Sequence, residues 1–175
     1  MRAEEIDPYL LIRDLERRIS KLTSPRARTM AELWLEHIRA EYPKLELDGV
    51  MKTMVPEPEF VVTASDIPTG SATIRGYNAV KAMYEQEAAN GWPWKQLEIG
   101  VFAAWDDGLA YDGLVTKLVP GAKLVAQGIE VDDPSADYIE TYHLANLIPY
   151  SGDLLLGEHI FRGDVITREK AEPSF

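Results

Sequence analysis

Three histidines, His37, His143 and His159, are the side chains of this sequence best suited to move a proton near neutral pH. His37 falls between Trp34 and Ile38 on what reads as the apolar face of a helix, with Glu41 four residues on and close enough to orient the imidazole. It reads either as a hydrogen-bonded core histidine or as a pocket base or substrate anchor. His143 lies in 138–147, an alternating stretch. Its face, with Ile139, Thr141, Ala145 and Leu147, is the smaller and more apolar of the two, and so the better candidate to line a cavity; the alternative is that His143 is exposed or lies in a dimer interface. His159 shares a face with Phe161, whereas Glu158 sides with Ile160 and Arg162, where a same-face ion pair with Arg162 accounts for it.

Asp48 and Asp164 are the candidate partner acids. Asp48 precedes a short apolar stretch and equally well caps a helix there. Asp164 follows Gly163 at the end of the last apolar run, where it serves either a turn or a pocket mouth. Tyr84 and Tyr142 can donate to an oxyanion, and Trp34 and Phe161 can wall a ligand. One desolvated His, Asp, Glu or Tyr in an apolar chamber has its pKa moved toward working pH. It can then abstract a proton beside a carbonyl or assist loss of water. His37 with Glu41, and Asp48 nearby, is half of a metal-ligand set, and no second clustered histidine completes it, so no metal is expected.

Composition narrows the chemistry. The chain has 175 residues and no cysteine, which removes thiolate catalysis, zinc–cysteine sites and disulfides. Lys plus Arg is 18 against 29 Asp plus Glu, for a net charge of −11 that opposes binding to nucleic acid or anionic lipid. A 46% hydrophobic and 27% charged composition suits one globular domain. There is no glycine-rich phosphate loop and no nucleophile elbow, so no cofactor is expected. With no signal-like or membrane-spanning run, the expectation is a cytoplasmic protein that avoids membranes.

These side chains need elements to hold them. Residues 1–23 are read as a helix, with Asp7 as N-cap, Pro8 in the first turn and an apolar stripe of Leu11, Leu15, Ile19 and Leu22. Ser24-Pro25 starts a second helix that runs to about Tyr42, with Met30, Leu33, Trp34, His37 and Ile38 inward. A short third helix follows Asp48, then a strand at 59–64, a brief strand at 72–75 and a helix over 76–90. Trp92-Pro93-Trp94 reads as a packing plug or as a wall of the pocket mouth. The second half is strand and turn, with candidates at 96–105, 109–118, 122–128, 137–149 and 154–162. Helices first and an antiparallel meander last is an α+β arrangement: a cone-shaped curved sheet with the N-terminal helices on its concave face. Such a concavity is where small-molecule sites form.

The element order, with three local motifs, resembles the nuclear transport factor 2-like superfamily, in particular its SnoaL-like branch. The motifs are Asp48-Gly49-Val50-Met51-Lys52-Thr53-Met54 leading to Pro58-Glu59-Phe60, the helix Gly76 to Tyr84, and the terminal hairpin Leu147 to Asp164 with Gly157-Glu158-His159-Ile160-Phe161. The resemblance covers roughly 28–165 and implies a cystatin-like α+β barrel with an internal pocket, usually in a homodimer. Related proteins include polyketide cyclases, ketosteroid isomerases, scytalone-type dehydratases and members without catalysis. Many SnoaL-like cyclases carry Glu-His-Trp-Asp on the last strand. Phe161 stands at that Asp position here, so the cyclase acid/base does not carry over.

The sequence therefore predicts an extension helix at 1–23, a SnoaL-like domain at 24–166 and a mobile tail at 167–175. It predicts a homodimer with a hydrophobic small-molecule ligand. The leading function is cofactor-independent lyase or isomerase chemistry on a hydrophobic oxygenated compound, with His37 or His143 as base and Asp48 or Asp164 as acid. The alternatives are a non-catalytic binder of an apolar molecule and a dimerising interaction module.

Overall fold

The computed structural model describes residues 2–89 and 95–172, which leaves Trp92-Pro93-Trp94 outside the described residues. After a 3-10 turn at Ala3–Glu5, the first helix, α1, spans Leu10–Ile19 rather than the whole of 1–23. Asp7 acts just before it: its carboxylate accepts the Tyr9 N–H at 3.0 Å and pairs with Arg13. Leu11, Leu15 and Ile19 are the buried stripe. The extension packs on its own chain: the Asp7 N–H donates to Gln96 Oε1 at 2.9 Å, and Arg18 donates to the carbonyl of Ile99 at 2.6 Å.

Helix α2 spans Pro25–Glu41, with Ser24 capping it and Pro25 in its first turn. It buries Met30, Trp34, His37 and Ile38 against the sheet. The short α3, Leu47–Met51, is entered from Glu46, so Asp48 is an exposed first-turn residue and not the cap. An acidic side chain is still favoured there by the helix dipole. Then come β1 (Met54–Ala64), β2 (Ser71–Arg75), α4 (Tyr77–Ala89), β3 (Lys95–Trp105), β4 (Gly108–Pro120), α5 (Gly121–Ala126), β5 (Asp137–Ser151) and β6 (Leu154–Lys170).

The six strands form one sheet in the order β2-β1-β6-β5-β4-β3, antiparallel except where β1 runs parallel to β6. Register shifts in β3/β4 and in β5/β6 bend the long strands around the helices. The main core lies between α1, α2, α4 and the concave sheet face, and includes Leu15, Met30, Trp34, Phe60, Val80, Val115 and Ile148.

Two expectations are corrected. Residues 122–128 are not a strand. Pro120 ends β4, the helix formers Ala122, Lys123, Leu124 and Ala126 follow, and Leu124 plugs a small second core with Val119 and Tyr138. Gly128, at φ +79°, turns the chain out of that helix. Nor does order end at 166: β6 continues to Lys170, pairing Thr167 with Thr141 and Lys170 with Tyr138. Arg168 bonds Glu140 at 2.7 Å, which gives the charged segment a buried partner.

Gly157 lets β6 lie against β1. It has φ +145°, and a Cβ there would stand 1.8 Å from the Glu59 carbonyl oxygen. Gly157→Ala is expected to destabilise the fold by about 3 kcal/mol or more, read as a lower urea midpoint, because backbone strain adds to a main-chain clash.

Candidate functional site

A cavity of about 140 Å³ opens between α1, α2, α4 and the concave face of the sheet. Its floor is polar, contributed by Glu41 from α2, Tyr111 from β4, Asn146 from β5 and Glu158 from β6. Phe60 and Tyr84 form a wall, and Pro8, Met83, Lys95 and Ile160 stand nearer solvent.

Behind the floor is His37, with 1% of its surface exposed. Its Nδ1 lies 2.8 Å from Thr53 Oγ1. The Thr53 hydroxyl gives its own proton to the Val50 carbonyl at 2.7 Å, so it can only accept from the imidazole. This fixes a proton on Nδ1 and turns Nε2 toward the floor. There Nε2 meets Tyr84 Oη at 3.3 Å, Glu158 Oε1 at 3.7 Å and Glu41 Oε2 at 3.8 Å. Trp34 stacks on the imidazole at a centroid distance of 4.9 Å and holds its plane.

Asn146 organises the other side. Its Nδ2 donates to Glu158 Oε2 at 2.7 Å and to Tyr111 Oη at 3.2 Å. Because Tyr111 accepts, its own proton is free to point at a ligand oxygen. Both Asn146 hydrogens are then committed, and its Oδ1 is buried with no hydrogen-bond partner.

The electrostatics follow from burial. Desolvation pushes Glu41 up to about 7; Lys95 pulls it down, the Glu158 charge raises it further and His37 opposes. Burial, followed by the charges of Glu41 and Glu158, lifts the Tyr84 phenol well above its ordinary value, and burial and Glu158 do the same to Tyr111. Both tyrosines are thus neutral hydrogen-bond donors. Glu87, nearer the mouth, is also raised by burial. Lys95 lies over the Tyr42 ring at 4.8 Å.

The expected site residues divide. Tyr84 lines the cavity, and His37 and Trp34 support it from behind. The rest are placed elsewhere. The face of β5 is the reverse of the one expected: Tyr142, Leu144, Asn146, Ile148 and Tyr150 turn inward, while His143 is exposed on the outer face. Tyr142 is buried in the core beneath Lys117 and does not line the cavity. Asp164 is exposed and accepts from Ser65, Asp48 is exposed on α3, and Phe161 is 48% exposed. Glu158 does not pair with Arg162, which instead binds Asp66. It points inward, and the sequence pattern singles out neither it nor Asn146 and Tyr111 as cavity residues. One signal for it was available: a Glu beside Ile160 near the middle of an apolar strand, with Gly157 before it. His37, Glu41 and Glu158 present donor atoms within 4.8 Å of one another, a trio that attracts positive charge.

No protein-family profile matches the sequence, and no curated protein matches it. Solved structures do. A protein from Jannaschia sp. CCS1 assigned as a SnoaL-like polyketide cyclase superposes with a TM-score of 0.60 at 13% identity, covering 81% of this chain and 90% of that one. A protein from Kribbella flavida DSM 17836 assigned as a ketosteroid isomerase gives 0.51 at 11% identity, covering 85% and 84%. TerC, co-crystallized with polyporic acid, gives 0.52 at 12% identity, covering 75% and 89%. No helix among the described residues is long and apolar enough to cross a membrane. With its helices laid in the concavity of a curved six-stranded sheet, the chain has the nuclear transport factor 2-like fold.

Proposed function

We propose that the chain is a cofactor-independent lyase or isomerase that works by general acid–base catalysis on a small oxygenated molecule. The observation that carries this reading is Glu41, a cavity-lining carboxyl pushed up to about 7 by burial and facing the free hydroxyl proton of Tyr111 across the floor. A carboxyl with that pKa is divided between base and acid forms near neutral pH, the condition for efficient proton transfer. Glu41 removes a proton from carbon next to a ligand carbonyl, and Tyr111 donates to the oxygen as negative charge builds on it. Returned at another carbon, the proton completes an isomerisation; delivered to a departing hydroxyl, it completes a dehydration. His37 takes a positioning role, since Thr53 and Trp34 fix it behind the carboxyls. His143, Asp48 and Asp164 have no part in this scheme, because none reaches the cavity.

The reaction class is tested by hydrogen exchange in deuterium oxide, followed by mass spectrometry over cyclic ketones, β,γ-enones and β-hydroxy ketones with and without an amino substituent. Exchange is expected to fall by about 10²-fold or more in Glu41→Gln and to weaken in Tyr111→Phe. Exchange that survives both Glu41→Gln and Glu158→Gln would refute the assignment. Binding without exchange would leave the alternative, a non-catalytic binder.

Glu41 also sets a stability slope. Its folded-state pKa lies above its ordinary 4.5, so between about 4.5 and 7 the folded state holds more proton than the unfolded one. Stability contributed by the protonated form is complete below that window and is lost as pH rises through it, by up to about 3 kcal/mol. Thermal melts from pH 5 to 8 should fall in the wild type and run flatter in Glu41→Gln; equal slopes would show that Glu41 does not titrate there.

A second copy of the chain covers the outer sheet face in this reading. Val101 and Trp105 of β3 and Phe161 of β6 are 65%, 42% and 48% exposed there, an apolar surface that water disfavours. Sedimentation is expected to give a dimer for the wild type and monomer for Phe161→Glu; a monomeric wild type would end the proposal.

A further inference from the structure

The cavity floor is rich in acceptors and poor in donors. Of the four described floor residues, Glu41, Glu158 and Asn146 Oδ1 accept and Tyr111 has a proton to offer, while the Tyr42 side chain bonds Glu41 from beside the floor. Asn146 is 4% exposed, and both of its hydrogens are spent on Glu158 and Tyr111. Its amide orientation is settled by chemistry, because the opposite one would set its oxygen against the Glu158 carboxylate. No described residue donates to this Oδ1. His37, with Nδ1–H held by Thr53, stands behind the pair with Nε2 at 3.7 Å from Glu158 Oε1 and 3.8 Å from Glu41 Oε2, so two carboxyls share this one ring. Lys95, the cation lining the cavity, lies over the Tyr42 ring toward the mouth.

From this surplus we infer that the ligand carries a protonated amine, seated among Glu41, Glu158 and Asn146 with its apolar part against Tyr84 and Phe60. The inference rests on the reading of this cavity as the ligand site. An ammonium nitrogen has hydrogens to share and no acceptor of its own, which matches both the charge and the missing donor. The aromatic wall adds attraction for a cation. A cavity of about 140 Å³ encloses one six-membered ring, comparable to the roughly 150 Å³ that holds benzene in an apolar core.

Three near-isosteres isolate the charge: 2-phenylethylamine, 2-phenylethanol and phenylacetate, titrated into the full chain at pH 8 by calorimetry. The amine is expected to bind about tenfold more tightly than the alcohol, and phenylacetate more weakly than either. In Glu158→Gln, checked for folding by circular dichroism, the gap between amine and alcohol should close to about threefold or less. An alcohol that binds as well as the amine, a preference for phenylacetate, or no amine binding at about 10 mM would overturn the inference, and the wild-type comparison alone suffices for this. The readout is binding without turnover. Failed amine selectivity with intact hydrogen exchange would sink only this inference, and the reverse pattern would sink only the acid–base reading.

Discussion

Taking two carboxyls out of water is the constraint around which this structure is arranged. Burying a charged carboxylate is expensive, and an unpaired one is tolerated only when hydrogen bonds, opposite charge or protonation relieve it. Glu158 is relieved by Asn146 at 2.7 Å, and Glu41 by holding its proton up to about 7. Each solution needs a neighbour fixed in place. Thr53 fixes His37, Trp34 stacks on it, and Tyr111 accepts the second Asn146 hydrogen. The residues come from α2, α3–β1, β4, β5 and β6, so the floor exists only once the sheet has curled around the helices. Site and fold are therefore coupled: Gly157 brings β6 against β1 and places Glu158 in the same step.

Much of the architecture is legible in the sequence because it rests on local signals. Ser24-Pro25 starts α2, Pro43 follows its end, and the stripe Met30, Trp34, His37 and Ile38 turns inward as its spacing demands. The α+β order and most strands follow from alternation and turn residues. Segments that depend on distant partners are not legible. The stretch from Gly121 to Ala126 is too short for its helix formers to decide its state alone, and it is a helix because Leu124 also has a pocket to fill beside Val119 and Tyr138. The charged run beyond Ile166 reads as a tail, yet β5 offers it a ladder and Glu140 offers Arg168 a buried carboxylate.

The site is the least legible part, and the reason is physical. On β5 the rule that apolar means inside points to the more apolar face as the cavity face. The rule fails where the inside is a polar floor and the outside is itself apolar. Asn146 turns inward with Tyr142, while Ala145 turns outward opposite Phe161. Glu158 failed for a related reason. Four residues from Arg162 on the same strand face, it suggests an ion pair, but Arg162 binds Asp66 in the turn after β1 instead. Strand alternation divides residues into two sets; it does not say which set is functional.

That the floor relies on carboxyls, with the histidine behind them, bears on how proton transfer is achieved. A histidine needs little adjustment to work near neutral pH, whereas a glutamate must be shifted by burial and by like charge. Here the shift comes from the arrangement that also creates the cavity: desolvation by the apolar walls, then the neighbouring Glu158, both acting on Glu41. Placed behind the carboxyls, His37 cannot touch a ligand, yet it can hold a proton at Nε2 within reach of either one. A ligand that brings its own positive charge would shift this balance toward ionised carboxyls at the moment of binding. The base would then be generated by its own substrate, which links selectivity for charge to activation of the group that abstracts the proton.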